Sequence, residues 1–373
     1  MQLSPDEVKR FARHLTLPEV GQEGQVKLKQ ASVLVVGAGG LGSPILLYLA
    51  AAGVGRLGIV DGDVVETSNL QRQIIHSMAS VGSLKCESAK SAILGINPAC
   101  TIDLYPEFIS ASNVFNIVSS YDVVCDATDN FQARFLVNDC CSTLGTPLVY
   151  GSVQRFEGQV SVFNLTPNSP SYRDLIPLPP SPGQVPSCAE AGVMGVLPGL
   201  IGLLQASEAI KILLNLGNIL DGRLLLVDLL SVSFTEFLIK KSSVPSFESP
   251  ANISSSSSSS AKVNRIDVVE LSRLILDDAF PSVLIDVRTP QEREISVISG
   301  SLSIPLVQIL DGSSLDLIRD LVLQGNKAFV YCKAGSRSLE AVRMLNLNDI
   351  PATNVEGGID AWAAIIDKTM VVY

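Results

Sequence analysis

The chain has two histidines and one tryptophan in 373 residues, and none of its seven cysteines falls in a CxxC pair. A tetrahedral zinc site needs four Cys or His ligands at close spacing, so no structural zinc is expected. His14 and His76 read as surface or hydrogen-bonding residues. An odd cysteine count without pairing excludes a disulfide scaffold and points to reduced thiols in a reducing compartment. Positive charge is also short: 27 Lys and Arg against 37 Asp and Glu leave −10, which argues against nucleic acid as the main partner. The opening MQLSPDEVKRFARHL is charged from its start and lacks an apolar signal core, so a cytoplasmic setting is the expectation. No apolar run reaches the roughly 20 residues that a bilayer requires. The nearest, 191–207, is broken by Pro198, Gln205 and several glycines, and Glu208 and Lys211 follow at once. It reads as a buried helix, not a membrane span.

What is present is apolar bulk, 47% of residues, in a chain too long for one core, since single cores stop growing near about 250 residues. Residues 5–30 carry helical apolar periodicity. SVLVVGAGGLG (32–42) is a β-branched run entering a glycine loop, SPILLYLAAAGV (43–54) continues as a helix, and RLGIVDGD (56–63) is a second strand. Together they form a βαβ unit. Further strands are expected at 101–105, 121–126, 147–151, 159–164, 223–228 and 232–240, with helices at 83–95, 130–143 and 200–216. The stretch 242–262 loses periodicity and contains seven consecutive serines, the composition of a flexible linker. Beyond it, NRIDVVELSRLIL suggests a helix, 282–289 and 327–332 strands, and 336–348 and 357–366 helices. The reading is an α/β chain with a Rossmann-like nucleotide-binding domain at 1–241, a linker at 242–262 and a small α/β domain at 263–373.

Gly37-Ala-Gly39-Gly40-Leu-Gly42 follows a strand and opens a helix. Such a turn brings main-chain N–H groups and the positive helix terminus close to phosphate. Asp61 stands about 20 residues on, where a carboxylate grips ribose hydroxyls. These features alone suit NAD as well as ATP. SNLQRQ (68–73) and Lys85 then add Asn69, Arg72 and an ammonium, which suit a triphosphate and its developing charge. Asp129 and Asn130, past another buried strand, lie at the sheet edge where doubly wound folds bind ligands. Asp129 could hold Mg²⁺ against the phosphates or cap the helix that follows.

RFARHLTLPEVGQEGQVKL, VGAGGLGSP, AAGVGRLGIVDGDVVETSNLQRQ, DATDN and FEGQVSVF resemble the molybdopterin-synthase adenylyltransferases, relatives of the ubiquitin-activating enzymes. The likeness spans 5–240. It implies ATP-dependent adenylylation of the C-terminal glycine of a small ubiquitin-like sulfur-carrier protein ending in Gly-Gly, by a homodimer. It carries ATP contacts onto Gly40, Asp61, Ser68, Asn69, Leu70, Gln71, Arg72, Lys85, Asp129 and Asn130, with Mg²⁺ at Asp129. Arg13 matches a residue reaching the triphosphate of the partner subunit. Cys188, in PSCAEAGVMG, matches a cysteine that forms a thioester or disulfide with the carrier; an ordinary loop thiol is the plainer reading.

VYCKAGSRS (330–338) places a lone cysteine at the end of a strand, before a loop of glycine, arginine and hydroxyls. Loop N–H groups, the following helix and Arg337 would favour the thiolate and stabilise a bound anion. LIDVR (284–288), CKAGSRS (332–338) and GGIDAW (357–362) resemble rhodanese domains, which implies that Cys332 carries a persulfide taken from thiosulfate or a donor protein. The resemblance departs at ISGSLSIP, where a histidine is common. It departs again at the two CxxC pairs of the adenylyltransferases. Ser171 and Asp174 stand in the first, and local order there is expected from apolar packing. The competing readings are an NAD-dependent oxidoreductase with a regulatory thiol domain and a non-catalytic adaptor.

Overall fold

The computed structural model describes residues 2–180, 192–242, 263–275 and 281–371. The expected linker, 242–262, lies outside them apart from Ser242, and so does Cys188. The chain divides into two units, Met1–Phe247 and Glu248–Tyr373.

The first unit opens with three helices, α1 (Pro5–Arg10), α2 (Ala12–Leu15) and α3 (Gly21–Gln30). α1 is started by a capping box in which Ser4 and Glu7 bond each other's backbone N–H. An alternation of strands and helices follows: β1 (Ser32–Val36), α4 (Gly42–Ala52), β2 (Arg56–Val60), α5 (Lys85–Ile96), β3 (Thr101–Tyr105), α6 (Val114–Val118), β4 (Val123–Asp126), α7 (Phe131–Leu144) and β5 (Leu148–Gln154). β6 (Glu157–Phe163), α8 (Tyr172–Leu175), α9 (Val196–Leu214), β7 (Arg223–Asp228) and β8 (Ser233–Leu238) complete it. The eight strands form one sheet in the order β3-β2-β1-β4-β5-β6-β7-β8. The first five run parallel, and β5 to β8 pair antiparallel. β1 is buried along its whole length, SVLVV, as a central parallel strand covered on both faces must be. The order reverses between β1 and β4, so a crevice opens at their C-terminal ends.

α9 has the length and composition of a membrane-crossing helix, yet it packs on α4 and on β4 to β6. Gln205 Nε2 bonds Asp126 O at 2.7 Å and Val149 O at 3.2 Å. Glu208 accepts from Leu220 N at 2.9 Å. It is the core helix that the sequence suggested.

The second unit contains β9 (Asn264–Ile266), α10 (Val268–Ile275), β10 (Ser282–Asp286), α11 (Pro290–Ile295), β11 (Leu302–Ser303), α12 (Leu306–Leu310), α13 (Leu315–Leu323), β12 (Lys327–Tyr331), α14 (Ser336–Leu347), β13 (Ala352–Val355) and α15 (Gly358–Ile365). Its sheet, β11-β10-β12-β13-β9, is parallel throughout. The stretch read as a helix from Asn264 begins instead as β9, because Asn264, Arg265 and Ile266 find a partner strand in β13.

The expectation that apolar packing alone orders the region around Ser171 and Asp174 is corrected by a polar clasp. Asp174 accepts from Ser171 N at 2.7 Å and from Ser242 N at 2.7 Å, through different oxygens. Arg173 meets Asp139 with two 2.7 Å bonds. Among the described residues, no group of three or more His, Cys, Asp or Glu side chains is arranged to hold a metal.

Candidate active site

The turn after β1 explains why the site begins with glycine. Gly37 has φ +104°, and a β-carbon there would stand 2.6 Å from Ala127 O, so the β1 and β4 turns touch only because Gly37 has no side chain. Ala38 is then held from two sides. Its N–H donates to Asp61 Oδ2 at 2.8 Å, and its carbonyl lies 2.9 Å from His76 Nε2. A carbonyl only accepts, so Nε2 carries the proton and Nδ1 accepts from Ser88 Oγ at 2.9 Å. Burial pushes the His76 imidazole below its ordinary value, and nearby Lys85 adds to this, consistent with a neutral ring. His76 is thus a buried hydrogen-bonding residue; His14 bonds Gln25 Oε1 at 3.0 Å.

Between the turns lies a cavity of about 820 Å³. Gly40, Asp61, Arg72, Lys85, Asp129 and Asn130, all anticipated from sequence, line it. Lys85 is buried at the start of α5 and pairs with Asp63 Oδ2 at 2.8 Å. Asp61 spends its second oxygen on Asp63 N at 2.9 Å, so it braces the loop as well as facing the cavity. Arg72 is set by the turn before it, with Nη1 donating to Ser68 O at 3.1 Å and its own N–H to Asn69 O. Ser68, Asn69, Leu70 and Gln71 shape that turn and do not line the cavity, nor does Arg13 on α2. Asn130 caps α7, its Oδ1 accepting from Ala133 N at 2.9 Å. The alternative role for Asp129 as that cap is thereby corrected. Its carboxylate is exposed at the cavity and has no protein partner among the described residues.

Sequence reasoning missed Asp63, Gln73, Phe108 and Arg134, which also line the cavity. Arg134 is buried, bonding Asp126 Oδ2 at 3.2 Å and Thr128 O at 3.0 Å, with its guanidinium over Tyr150 and Tyr172. It holds the 126–128 turn that presents Asp129. A charged residue inside the apolar helix stretch FQARFLV was the available signal.

In the second unit, Cys332 follows β12. The loop returns at Gly335, whose φ of +99° turns its N–H onto Cys332 Sγ at 3.1 Å. Ser338 Oγ lies 3.5 Å from the same sulfur. Cys332 is fully buried, although the polar loop after it suits an exposed thiol. The 357–360 turn folds over its loop, with Ile359 N bonding Cys332 O at 2.9 Å and Asp360 N bonding Lys333 O at 3.1 Å. Arg337 forms a two-bond fork with Glu292 at 2.9 and 2.8 Å, which balances its charge. Behind the loop, buried Asp286 accepts from Arg288, Arg293 and Tyr331.

Known proteins share both parts. Residues 11–246 match the ThiF family, and residues 267–365 match the rhodanese-like domain. The chain is 44% identical over 387 residues to the "Probable adenylyltransferase/sulfurtransferase MoeZ" of Mycobacterium tuberculosis, covering all of this chain and 96% of that one. It is 40% identical over 408 residues to the "Adenylyltransferase and sulfurtransferase MOCS3" of Mus musculus, covering all of this chain and 88% of that one. The crystal structure of E. coli MccB with ATP superposes with a TM-score of 0.54 at 21% identity, over 64% of this chain and 73% of MccB, which is a likeness of fold. The chain belongs to the ThiF family, its ThiF region followed by a rhodanese-like domain.

Proposed function

We propose that this chain adenylylates the C-terminal glycine of a small ubiquitin-like sulfur carrier and then replaces the adenylate with sulfur delivered from Cys332. The observation that carries the first half is the cavity of about 820 Å³, in which a glycine turn, Lys85, Arg72 and an unengaged Asp129 meet. ATP is the substrate that fits: its ribose faces Asp61, and its phosphates face the Gly40 turn and the two cations. Asp129 and the Asn130 end of α7 would hold Mg²⁺, since Mg²⁺ takes one or two protein oxygens and completes its shell with phosphate and water. When bound, the ion supplies neutralisation of phosphate charge. The carrier's carboxylate oxygen attacks the α-phosphorus, the bond to the β-phosphate breaks, and pyrophosphate leaves. The protein's share is positioning and charge stabilisation. Ser68 to Gln71 set Arg72, and Arg13 of one subunit would complete the site of its partner in a cytoplasmic homodimer.

In the second half, Cys332 carries an extra sulfur as a persulfide on its loop, with Arg337 and Glu292 fixing the loop's far end. The outer sulfur attacks the acyl carbon and AMP leaves. A second thiolate then attacks Cys332 Sγ, releasing the carrier thiocarboxylate and leaving a disulfide; Cys188 is the candidate for that thiolate. The relatives' names, joining adenylyltransferase and sulfurtransferase in one chain, support the pairing of the two activities. They do not favour the nicotinamide reading.

The test is ATP–pyrophosphate exchange with candidate carriers ending in Gly-Gly, followed by carrier mass after addition of thiosulfate. Exchange that depends on the carrier, then replacement of one carrier oxygen by sulfur, is expected. A cavity that prefers NAD, or stays empty at saturating ATP and magnesium, overturns the proposal.

A further inference from the structure

The structure assigns to Ser338 a catalytic role at Cys332: its hydroxyl donates to Sγ and stabilises negative charge there as sulfur arrives and departs. This rests on the reading of Cys332 as the sulfur carrier. Ser338 lies in the first turn of α14 and is fully buried. Among the described residues, Cys332 Sγ, at 3.5 Å, is the only hydrogen-bond partner of its hydroxyl. A serine on a helix ordinarily returns its hydroxyl to a carbonyl three or four residues back, as Ser43 does with Gly39 O at 2.7 Å. Ser338 turns to a sulfur instead. Burying a hydroxyl costs free energy unless it is well bonded, and alanine would fill the same space without that cost. The hydroxyl makes physical sense if the sulfur carries charge, because hydrogen bonds to ionised groups are about twice as strong as neutral ones. Gly335 N–H, at 3.1 Å, supplies a second donor to the same atom.

Charge appears on Sγ twice in each cycle. With thiosulfate, the thiolate attacks the outer sulfur, the new Sγ–S bond forms, and sulfite leaves with the electron pair of the broken S–S bond. With cyanide as acceptor, carbon bonds to the outer sulfur, thiocyanate forms, and the pair of the Sγ–S bond returns to Sγ. In the first step Sγ is the nucleophile and in the second the leaving group. A donor to Sγ helps the second step outright, whereas in the first it raises the thiolate fraction while lowering its reactivity.

The experiment compares the full-length parent chain, Ser338→Ala, Ser338→Thr and Cys332→Ala, with the two half-reactions read separately. Persulfide formation is read from the mass of the Cys332 peptide, and discharge from thiocyanate released. Loss of one hydrogen bond to a charged atom should slow discharge about tenfold in Ser338→Ala, with the KM for thiosulfate unchanged. Ser338→Thr, which keeps the hydroxyl, should discharge like the parent. Thiolate ultraviolet absorbance at Cys332, taken as the difference from the Cys332→Ala chain, should emerge at higher pH in Ser338→Ala. Parent-like discharge and absorbance in Ser338→Ala overturn the assignment. So does equal slowing in Ser338→Thr, or a Ser338→Ala chain that does not fold, since the residue would then serve packing alone. A parent chain that takes up no sulfur at Cys332 sinks the sulfur-carrier reading instead, and the absorbance comparison still reports on the Ser338 hydrogen bond.

Discussion

Cys86 and Cys332 are both fully buried beside a candidate site, yet their surroundings have opposite polarity. Cys86, one residue beyond Lys85, points its sulfur at carbonyls, with Asp61 O at 3.2 Å and Ile59 O at 3.6 Å. Burial, helped by the Asp61 carboxylate, pushes its thiol up to about 12. Cys332 receives two donors, Gly335 N–H and Ser338 O–H. If Cys332 has the role proposed for it, burial alone does not separate an inert thiol from a working one, and the sign of the dipoles aimed at the sulfur does.

The largest expected effect tests that contrast directly. Cys332→Ala should lose all sulfur uptake from thiosulfate while ATP–pyrophosphate exchange continues, and Cys86→Ala should keep uptake; mass analysis of carrier and chain reads both. If Cys86→Ala abolishes uptake, the contrast is wrong. Next, Lys85→Met should lower exchange about a hundredfold or more, the usual cost of removing a preorganised charge partner, with sulfur uptake at Cys332 unchanged.

Arg134→Leu leaves Asp126 buried without its cation and should cost about 3–5 kcal/mol, read by denaturant unfolding of the first unit. Asp126 and Arg134 are both almost wholly buried, at 0% and 6% exposure, so solvent screening does little to reduce this.

The pH dependence is smaller. The His76 ring stays neutral in the fold because burial holds its affinity for protons below the ordinary 6.5. The unfolded chain takes up that proton first as pH falls. The fold should therefore lose stability on acidification through about pH 6.5 and below, until the folded ring also protonates. Denaturant midpoints measured from about pH 8 to about pH 5 should show this fall, and His76→Gln should flatten it. Smallest is Asp174→Ala, which removes the clasp on Ser171 and Ser242 and should cost about 1 kcal/mol by the same measurement.

Much of this was legible in the chain. β3 and β7 run over the residues that their apolar patterns marked, and the glycine turn, Asp61, Arg72, Lys85 and Asp129 meet at one cavity. These are local signals, in which a residue's type and its neighbours fix its place. The misses are non-local. Arg134 matters through Asp126, eight residues earlier on a different element. The burial of Cys332 comes with its packing among residues far away in the chain, Ile285, Val287 and Ile304 among them, which no property of 330–338 announces. The short helices of the second unit between 290 and 323 were passed over, although Thr289 and Glu292 form the reciprocal cap that their spacing permits.

On the proposed reading of Cys332 as the sulfur carrier, its sealed position makes access the controlling step. An atom with no exposed surface would meet thiosulfate, a donor's sulfur or a resolving thiolate only after the packing around it loosens, so loading and discharge would each be tied to a local opening of the second unit. Sulfur stored there would be protected by the same packing that its release must undo.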